Sequence, residues 1–120
     1  MIHIQKQTWE LMTLYLLTTD GASAQLEIYP DPSGDYGVRA YICKLWVEPK
    51  YRRKGLAKAL LDTAEELARR EGMEAVFLEW YEPDTPRWML DYYMERGYGE
   101  VAFSRGDALL KKVLVNNNES

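Results

Sequence analysis

One stretch of this 120-residue chain, residues 41–72, constrains the fold more than any other. It begins with an apolar run, Tyr41 to Val47, which predicts a strand. A basic turn that contains Gly55 follows, and after the turn apolar residues recur at helical spacing. This order of strand, turn and helix is typical of a phosphate site, because the first N–H groups of a helix lack intrahelical acceptors and face an anion in the turn.

The turn itself carries the charge and the backbone freedom that such a site needs. Arg52, Arg53 and Lys54 supply positive charge, and Gly55 lets the backbone approach a ligand closely. The alternative is that these side chains are only solvated, as surface arginines and lysines usually are. Their position at a helix start favours a ligand.

A helix is predicted to follow the turn and to end at Gly72 as a left-handed cap. Its apolar stripe comprises Leu56, Ala57, Leu60, Leu61, Ala64, Leu67 and Ala68. Charged residues are predicted to lie off that stripe, with Glu65–Arg69 and Glu66–Arg70 as ion pairs. A further strand, Ala75 to Tyr81, completes a β-α-β unit, which implies a parallel strand pair with a right-handed crossover.

The strand before the turn, Val38 to Val47, is apolar on both faces and is therefore predicted to be central and covered on both sides. Simple alternation points Tyr41, Cys43, Leu45 and Val47 one way and Ala40, Ile42 and Trp46 the other.

The rest of the chain predicts strands, one more helix and polar turns, which gives an α/β or α+β domain with a mixed sheet. The predicted elements are strands at Met1–Lys6, Trp9–Thr18 and Ala24–Tyr29, a loop at Pro30–Asp35, a helix capped by Asp84 or Thr85 that runs to about Arg96 and is stopped by Gly97, and two short strands within 98–115. Residues 1–120 are expected to form a single domain.

Two motifs resemble those of the GNAT superfamily of N-acetyltransferases. The run Arg52-x-x-Gly55-x-Ala57 resembles its acyl-CoA pyrophosphate signature, and residues 91–98 resemble its F-Y-E-K-x-G-F segment. The resemblance implies a GNAT-like mixed, mostly antiparallel sheet with a central parallel β-α-β unit and two main helices. It also implies acetyl-CoA as co-substrate.

The resemblance implies a set of cofactor-binding positions. The pyrophosphate would lie on Arg52, Arg53, Lys54, Gly55, Leu56 and Ala57. The backbone amides of Leu45, Trp46 and Val47 would hold the pantetheine arm and stabilise the oxyanion where the central strands separate. The same residues could equally be ordinary sheet core.

The resemblance also places Tyr93 where family members carry the tyrosine that protonates the departing thiolate. A tyrosine with a pKa near ~10 can donate to a thiolate whose thiol has a pKa near ~8.5. The alternative is a packed aromatic side chain on an amphipathic helix. The general base stays open among Glu48, Glu79 and Glu82, which lie near the ends of the two central strands and could equally be exposed strand-end carboxylates.

Two departures from the family pattern bear on activity. Pro86 stands where family members often carry an asparagine that contacts the cofactor, and the residues before Pro30 lack the two helices that usually wall the acceptor site. The open side could admit a bulky acceptor, a second subunit could complete the wall as a homodimer, or catalysis could be lost.

Composition narrows the remaining classes of function. The net charge of −4 disfavours nucleic acid, and no apolar run approaches the ~20 residues of a membrane helix. Cys43, the single cysteine, fits a cytoplasmic setting, and it is expected to be a small buried residue and not a nucleophile. The scarcity of histidine and cysteine argues against an ordinary zinc site.

The expected function is transfer of an acetyl group from acetyl-CoA to a primary amine by direct attack. The amine could be a protein lysine, a protein N-terminus or a small molecule. The alternative is a non-catalytic acyl-CoA-binding or protein-interaction module.

Overall fold

The computed structural model describes residues 1–83 and 85–114, which form one seven-stranded sheet and two α-helices. The elements are β1 (His3–Thr8), β2 (Thr13–Thr19), β3 (Ala22–Ser33), β4 (Val38–Val47), a 3₁₀ turn (Pro49–Tyr51), α1 (Leu56–Arg70), β5 (Ala75–Tyr81), α2 (Arg87–Glu95), β6 (Gly99–Ser104) and β7 (Asp107–Val113). The strand order is β1-β2-β3-β4-β5-β7-β6. Only β4 and β5 are parallel neighbours, which confirms the predicted mixed, mostly antiparallel sheet with a central β-α-β unit.

Both helices pack on the same face of the sheet, which we call the covered face. Leu60, Leu61, Leu90 and Tyr93 belong to one buried cluster with the inward residues of the strands. The strand members of that cluster are Tyr15, Leu17, Ala22, Ala24, Leu26, Ile28, Ala40, Ile42, Val76, Leu78, Trp80, Ala108 and Leu110.

The opposite face, which we call the bare face, is covered by no helix of the described residues. By strand alternation it presents Leu16, Gln25, Glu27, Tyr29, Tyr41, Cys43, Phe77, Glu79, Tyr81, Leu109 and Lys111. Most of these side chains are half-buried or exposed, so this face is polar and aromatic instead of apolar.

Helix α1 follows its predicted limits. Gly72, at φ 81°, takes the left-handed conformation that the sequence predicts, and its N–H bonds to the carbonyl of Arg69 at 2.9 Å. The N–H of Met73 reaches back to the carbonyl of Ala68 at 3.0 Å, so the last turn of the helix is closed by backbone bonds.

Two predicted boundaries were wrong. The strand predicted from Trp9 begins only at Thr13, because Trp9 donates its N–H to the carbonyl of Met12 and forms the turn between β1 and β2. The predicted loop Pro30–Asp35 is strand as far as Ser33. Its pairing with β4 is irregular between Ile28 and Ser33, which is why its prolines are tolerated.

Helix α2 begins at Arg87, and its N-cap, Pro86, makes no side-chain capping bond. Thr85 is not the cap, and the alternative cap, Asp84, lies outside the described residues. The helix ends as predicted before Gly97, which has φ 105°. No helix in the described part of the chain is long and apolar enough to span a membrane.

Residues 3–33 form three antiparallel strands in two hairpins. The two helices that the family resemblance would place between the first two strands are therefore missing from residues 3–33, as the sequence predicts.

Candidate active site

Strands β4 and β5 separate at the centre of the sheet. They are paired only at Tyr41–Phe77 and Ile42–Leu78. Beyond those pairs β4 continues to Val47 and β5 to Tyr81, with no further register pair between them in the described residues. The gap opens toward the carboxyl ends of both strands, where ligands of parallel α/β units bind.

A β-bulge in β4 lies beside this gap. Cys43 pairs with Gln25 and Trp46 with Ser23, so two residues of β4 oppose one of β3, and Lys44 takes the left-handed φ of 54°. A bulge of this kind bends the strand and re-aims its side chains and amides.

The bulge overturns the predicted alternation. Leu45 and Val47 pack against the same core as Ala40 and Ile42, whereas Trp46 is 54% exposed. The prediction that β4 is covered on both sides was therefore wrong. Alternation cannot reveal an inserted residue, because it assumes an unbroken period of two.

The basic turn follows directly. The Arg52 side chain donates from Nε to the carbonyl of Val47 at 2.9 Å, and its guanidinium lies 5.1 Å from the centre of the Trp46 ring. The ammonium groups of Lys50 and Lys54 lie over the Tyr51 ring at 5.4 and 6.0 Å. Aromatic side chains thus hold most of the positive charge of the turn in place.

Gly21, between β2 and β3, packs against the basic turn. A Cβ on Gly21 would lie 2.1 Å from a Tyr51 ring carbon, so only glycine lets that ring pack there. The carbonyl of Gly21 also accepts the N–H of Glu48 at 2.7 Å. The turn is therefore fastened to the hairpin that precedes it.

Helix α1 begins at this turn with an uncapped N-terminus. Its N-cap, Gly55, has φ 79° and provides no side chain, so the N–H groups of Leu56 and Ala57 lack intrahelical partners. A Cβ on Gly55 would meet nothing within 4 Å, so the space in front of the helix is open. Open space, free N–H groups and three nearby cations fit a diphosphate such as that of acetyl-CoA.

The bare face carries two carboxylates that are each bonded to a tyrosine, and Glu79 is the one beside the gap. Glu79, on β5 just beyond the last pair with β4, accepts from the Tyr41 hydroxyl at 2.5 Å. Glu27, on β3, accepts from the Tyr29 hydroxyl at 2.5 Å and from the Cys43 thiol at 3.6 Å. Glu79 is exposed, so a solvent-borne amine can reach it.

The other two candidate bases have weaker placement. Glu48 is exposed after β4, and no hydrogen bond or ion pair of its side chain is found among the described residues. Glu82 follows β5, and its backbone N–H bonds to Gly106 at the β6–β7 turn.

Cys43 is half-buried, and burial together with the neighbouring Glu27 carboxylate raises the pKa of its thiol to about 12. The thiol is therefore held in its protonated, less reactive form at neutral pH, which favours a structural side chain over a nucleophile.

Tyr93 is buried on α2 in the core. Its ring packs edge-on against Tyr98 at 6.1 Å, and its hydroxyl enters no hydrogen bond found among the described residues. Burial, and then the neighbouring Tyr92, raise the pKa of Tyr93 to about 12. The hydroxyl thus keeps its proton at neutral pH and has a free donor.

A buried ionic cluster that the sequence analysis missed joins the two helices. Glu65, only 3% exposed, accepts from Arg96 at 3.0 Å, Lys112 at 2.8 Å and Tyr98 at 2.8 Å. The predicted pair of Glu65 with Arg69 was therefore wrong, since Glu65 points inward to partners that lie far away in the sequence.

Arg96 completes this cluster by also donating to Asp62 at 2.9 Å. The predicted pair Glu66–Arg70 is present at 3.3 Å. Among the aromatic residues of β5 and α2, Trp80 is buried, whereas Tyr81 and Trp88 are exposed. In the described part of the chain, no group of three or more metal-ligating side chains could hold a metal ion.

Comparison with known proteins identifies the family. Residues 8–99 match the acetyltransferase (GNAT) family. No curated protein matches the chain by sequence.

Solved structures share the fold at low sequence identity. The PaiA N-acetyltransferase of Thermoplasma acidophilum, in complex with coenzyme A, has a TM-score of 0.64 and 18% identity, over 83% of this chain and 59% of that one. The ribosomal-protein-S18-alanine N-acetyltransferase of Escherichia coli has a TM-score of 0.61 and 18% identity, over 94% and 76%. A GNAT-family acetyltransferase of Staphylococcus aureus Mu50 has a TM-score of 0.65 and 14% identity, over 87% and 68%.

The chain thus spans about three fifths to three quarters of the length of these structures. The family match, the separated central strands and the open helix N-terminus agree with one another. The chain belongs to the acetyltransferase (GNAT) family, whose members are acyl-CoA-dependent N-acyltransferases with acetyl-CoA as co-substrate.

Proposed function

We propose that this chain moves an acetyl group from acetyl-CoA to a primary amine by direct attack, with no covalent enzyme intermediate. The observation that carries the proposal is the uncapped N-terminus of α1 at Gly55, open in front and placed beside the gap between β4 and β5. We further propose that residues 1–120 act as one domain.

The diphosphate would be held mainly by backbone N–H groups of Gly55, Leu56 and Ala57. Arg53 and Lys54 would add charge. The Arg52 side chain is already bonded to the carbonyl of Val47 and stacked on Trp46, so its first role would be to fix the turn.

The acyl arm would lie along the part of β4 that β5 leaves unpaired. The amides of Leu45, Trp46 and Val47 follow the bulge on this stretch. An N–H group there would stabilise the oxyanion that forms when the amine attacks the thioester.

For acid–base work we propose Glu79 as the base and Tyr93 as the acid. An alkylammonium with a pKa near ~10.4 must lose a proton before it attacks, and Glu79 is an exposed carboxylate beside the gap. Tyr93 offers a protonated and unpartnered hydroxyl to the leaving thiolate. Glu48 is the second candidate for the base, with no contact that orients it toward the gap.

The acceptor would approach from the bare face, which lacks the family's two helices. That access suits a protein lysine or N-terminus as well as a small amine, and the Escherichia coli structure with this fold is named for action on a ribosomal-protein alanine. A second copy of the chain could complete the wall as a homodimer. With a net charge of −4 we propose no nucleic-acid partner, and we propose a cytoplasmic location.

The test of cofactor binding is Gly55→Glu, which adds bulk and negative charge in front of α1. Gly34→Glu is the matched control, because Gly34 has φ 74° and is equally open, but lies between β3 and β4. We expect calorimetry to show no acetyl-CoA binding for Gly55→Glu and normal binding for Gly34→Glu. Unchanged acetyl-CoA affinity in Gly55→Glu would contradict the assignment of this turn as the diphosphate site.

The alternative is a non-catalytic acyl-CoA-binding or interaction module, which the exposed bare face also suits. Incubation with acetyl-CoA and a panel of amines separates the two, since only the enzyme releases thiol above the hydrolysis rate.

Tyr93→Phe tests the acid. We expect turnover to fall roughly 10²-fold with nearly unchanged acetyl-CoA affinity, because the ring packing against Tyr98 is retained. Equal turnover in the wild type and in Tyr93→Phe would show that Tyr93 is not the acid.

A further inference from the structure

We propose that Tyr41 is a positioning residue, whose hydroxyl holds the Glu79 carboxylate at the mouth of the gap between β4 and β5. The inference rests on the proposed function, because it assigns Tyr41 a role only if Glu79 is the base that takes a proton from the amine.

The backbone of Tyr41 is held by strand pairing with β3 and β5, whereas Glu79 has no register partner on β4. Tyr41 is in register with Glu27 on β3 and with Phe77 on β5, so the sheet fixes it from both sides. Glu79 lies one residue beyond Leu78, the last residue of β5 in register with β4. The 2.5 Å bond between the Tyr41 hydroxyl and Glu79 Oε1 therefore bridges the point where the strands separate.

This bond leaves the carboxylate able to act. Oε1 is occupied by the tyrosine, so Oε2 is the oxygen left to accept a proton from an amine on the exposed side. A donor bonded to a carboxylate also favours its charged, basic form. Holding one oxygen removes side-chain freedom that Glu79 would otherwise lose when the amine arrives.

The tyrosine can only donate at working pH. Burial, and then the hydrogen bond and charge of Glu79, raise the pKa of Tyr41 well above its usual range. The phenol is therefore protonated at neutral pH.

Other titratable groups surround Glu79 on this face. Cys43 comes from β4, Asp107 and Lys111 come from β7, and Glu27 lies on β3 beyond Tyr41. The Lys111 ammonium lies over the Phe77 ring at 5.7 Å. Within residues 1–83 and 85–114, Tyr41 is the one side chain found bonded to Glu79.

The molecule contains its own control for this contact. Tyr29 donates to Glu27 at the same 2.5 Å, on the same face and one strand away. That pair lies on β3, which stays paired with β4 through Ile28, and so it does not border the gap. Tyr29→Phe removes the same chemistry from a place where no reaction is proposed.

The experiment measures the mobility of the Glu79 side chain by NMR relaxation at neutral pH, in the wild-type protein, Tyr41→Phe and Tyr29→Phe. Each variant keeps its ring and loses only a hydroxyl, and equal thermal unfolding curves verify the fold. We expect Tyr41→Phe to increase the mobility of this side chain, because the carboxylate loses its hydrogen-bond donor. We expect Tyr29→Phe to leave it unchanged.

The kinetic arm measures kcat and kcat/KM at neutral pH for the best amine, together with the acetyl-CoA Kd. In Tyr41→Phe, kcat and kcat/KM are expected to fall by about tenfold, with the acetyl-CoA Kd unchanged. Tyr29→Phe is expected to match the wild type in all three.

The outcomes distinguish a failure of the positioning role of Tyr41 from a failure of the proposed function. Unchanged mobility of the Glu79 side chain in Tyr41→Phe, an equal change in Tyr29→Phe, or an unchanged kcat in Tyr41→Phe overturns the positioning role. If Glu79→Gln keeps the wild-type pH profile, the base assignment itself fails, and the positioning role fails with it. Acetyl-CoA binding and thiol release then still report whether the chain is a transferase.

Discussion

The two faces of the sheet use the same residue types for opposite purposes. On the covered face, Glu65 is buried and held by Arg96, Lys112 and Tyr98, so its charge joins α1, the end of α2 and β7. On the bare face, Glu79 is exposed and bonded to one tyrosine. The first arrangement fixes the structure, whereas the second leaves a carboxylate available to a ligand.

The difference shows how a short member of this family can keep both a core and a site. The covered face contains the cluster of buried leucines, alanines and aromatics that stabilises the fold, whereas Phe77 is a buried aromatic residue of the bare face. The bare face has therefore been free to carry tyrosines and carboxylates that contribute little to stability.

Removing the buried charge is the strongest test of this contrast. We expect Glu65→Ala to lower the free energy of unfolding by about 3–5 kcal/mol, because Lys112 is left without its counter-charge and Arg96 keeps only Asp62. Glu27→Ala on the bare face is the matched change, with an expected cost of about 1 kcal/mol. Urea denaturation measures both, and equal losses would end the distinction between the faces.

A second test uses two neighbours on β2. Leu17 is fully buried on the covered face, and Leu16 is half-buried on the bare face. We expect Leu17→Ala to cost about 2–5 kcal/mol through transfer and cavity terms and Leu16→Ala about 1 kcal/mol. A larger loss from Leu16→Ala in the same denaturation series would mean that something covers the bare face in solution.

The smallest expected effect is on stability at acidic pH, to which Asp62 contributes at the edge of the buried Glu65 cluster. Burial alone would raise the pKa of Asp62, but bonds from Lys58 and Arg96 outweigh it and lower the pKa. This stability is present above the unfolded pKa near ~3.9 and is lost as pH falls through the lower folded pKa.

We therefore expect Asp62→Asn to flatten the loss of stability below about pH 4, as followed by thermal unfolding at stepped pH. Asp62 is half exposed, so solvent screening keeps the effect small. Asp91→Asn, an exposed carboxylate on α2, is the control. Identical acid curves for the wild type and Asp62→Asn would contradict the ion-pair explanation.

The sequence predicted correctly those features that depend on residues close together in the chain. The helix from Leu56 to Arg70, its end at Gly72 and the parallel pair around it follow from apolar spacing and one glycine. The glycine turn at Gly55 was equally legible, because a helix N-terminus binds through backbone groups that any sequence provides.

The errors arose where residues distant in the chain meet. Glu65 was placed outside the core because its partners Arg96 and Lys112 are not helix neighbours. The bulge at Lys44 was missed because it is a property of the β3–β4 pairing, not of β4 alone.

The sequence by itself determined the strand–turn–helix unit, since hydrogen bonds within a few residues and a repeating apolar spacing decide it. Its two motifs also resemble those of the family that residues 8–99 match. Only the tertiary structure decided that Tyr41 meets Glu79 and that Leu45 turns inward. Those contacts depend on strand register, which is set by packing across the whole sheet.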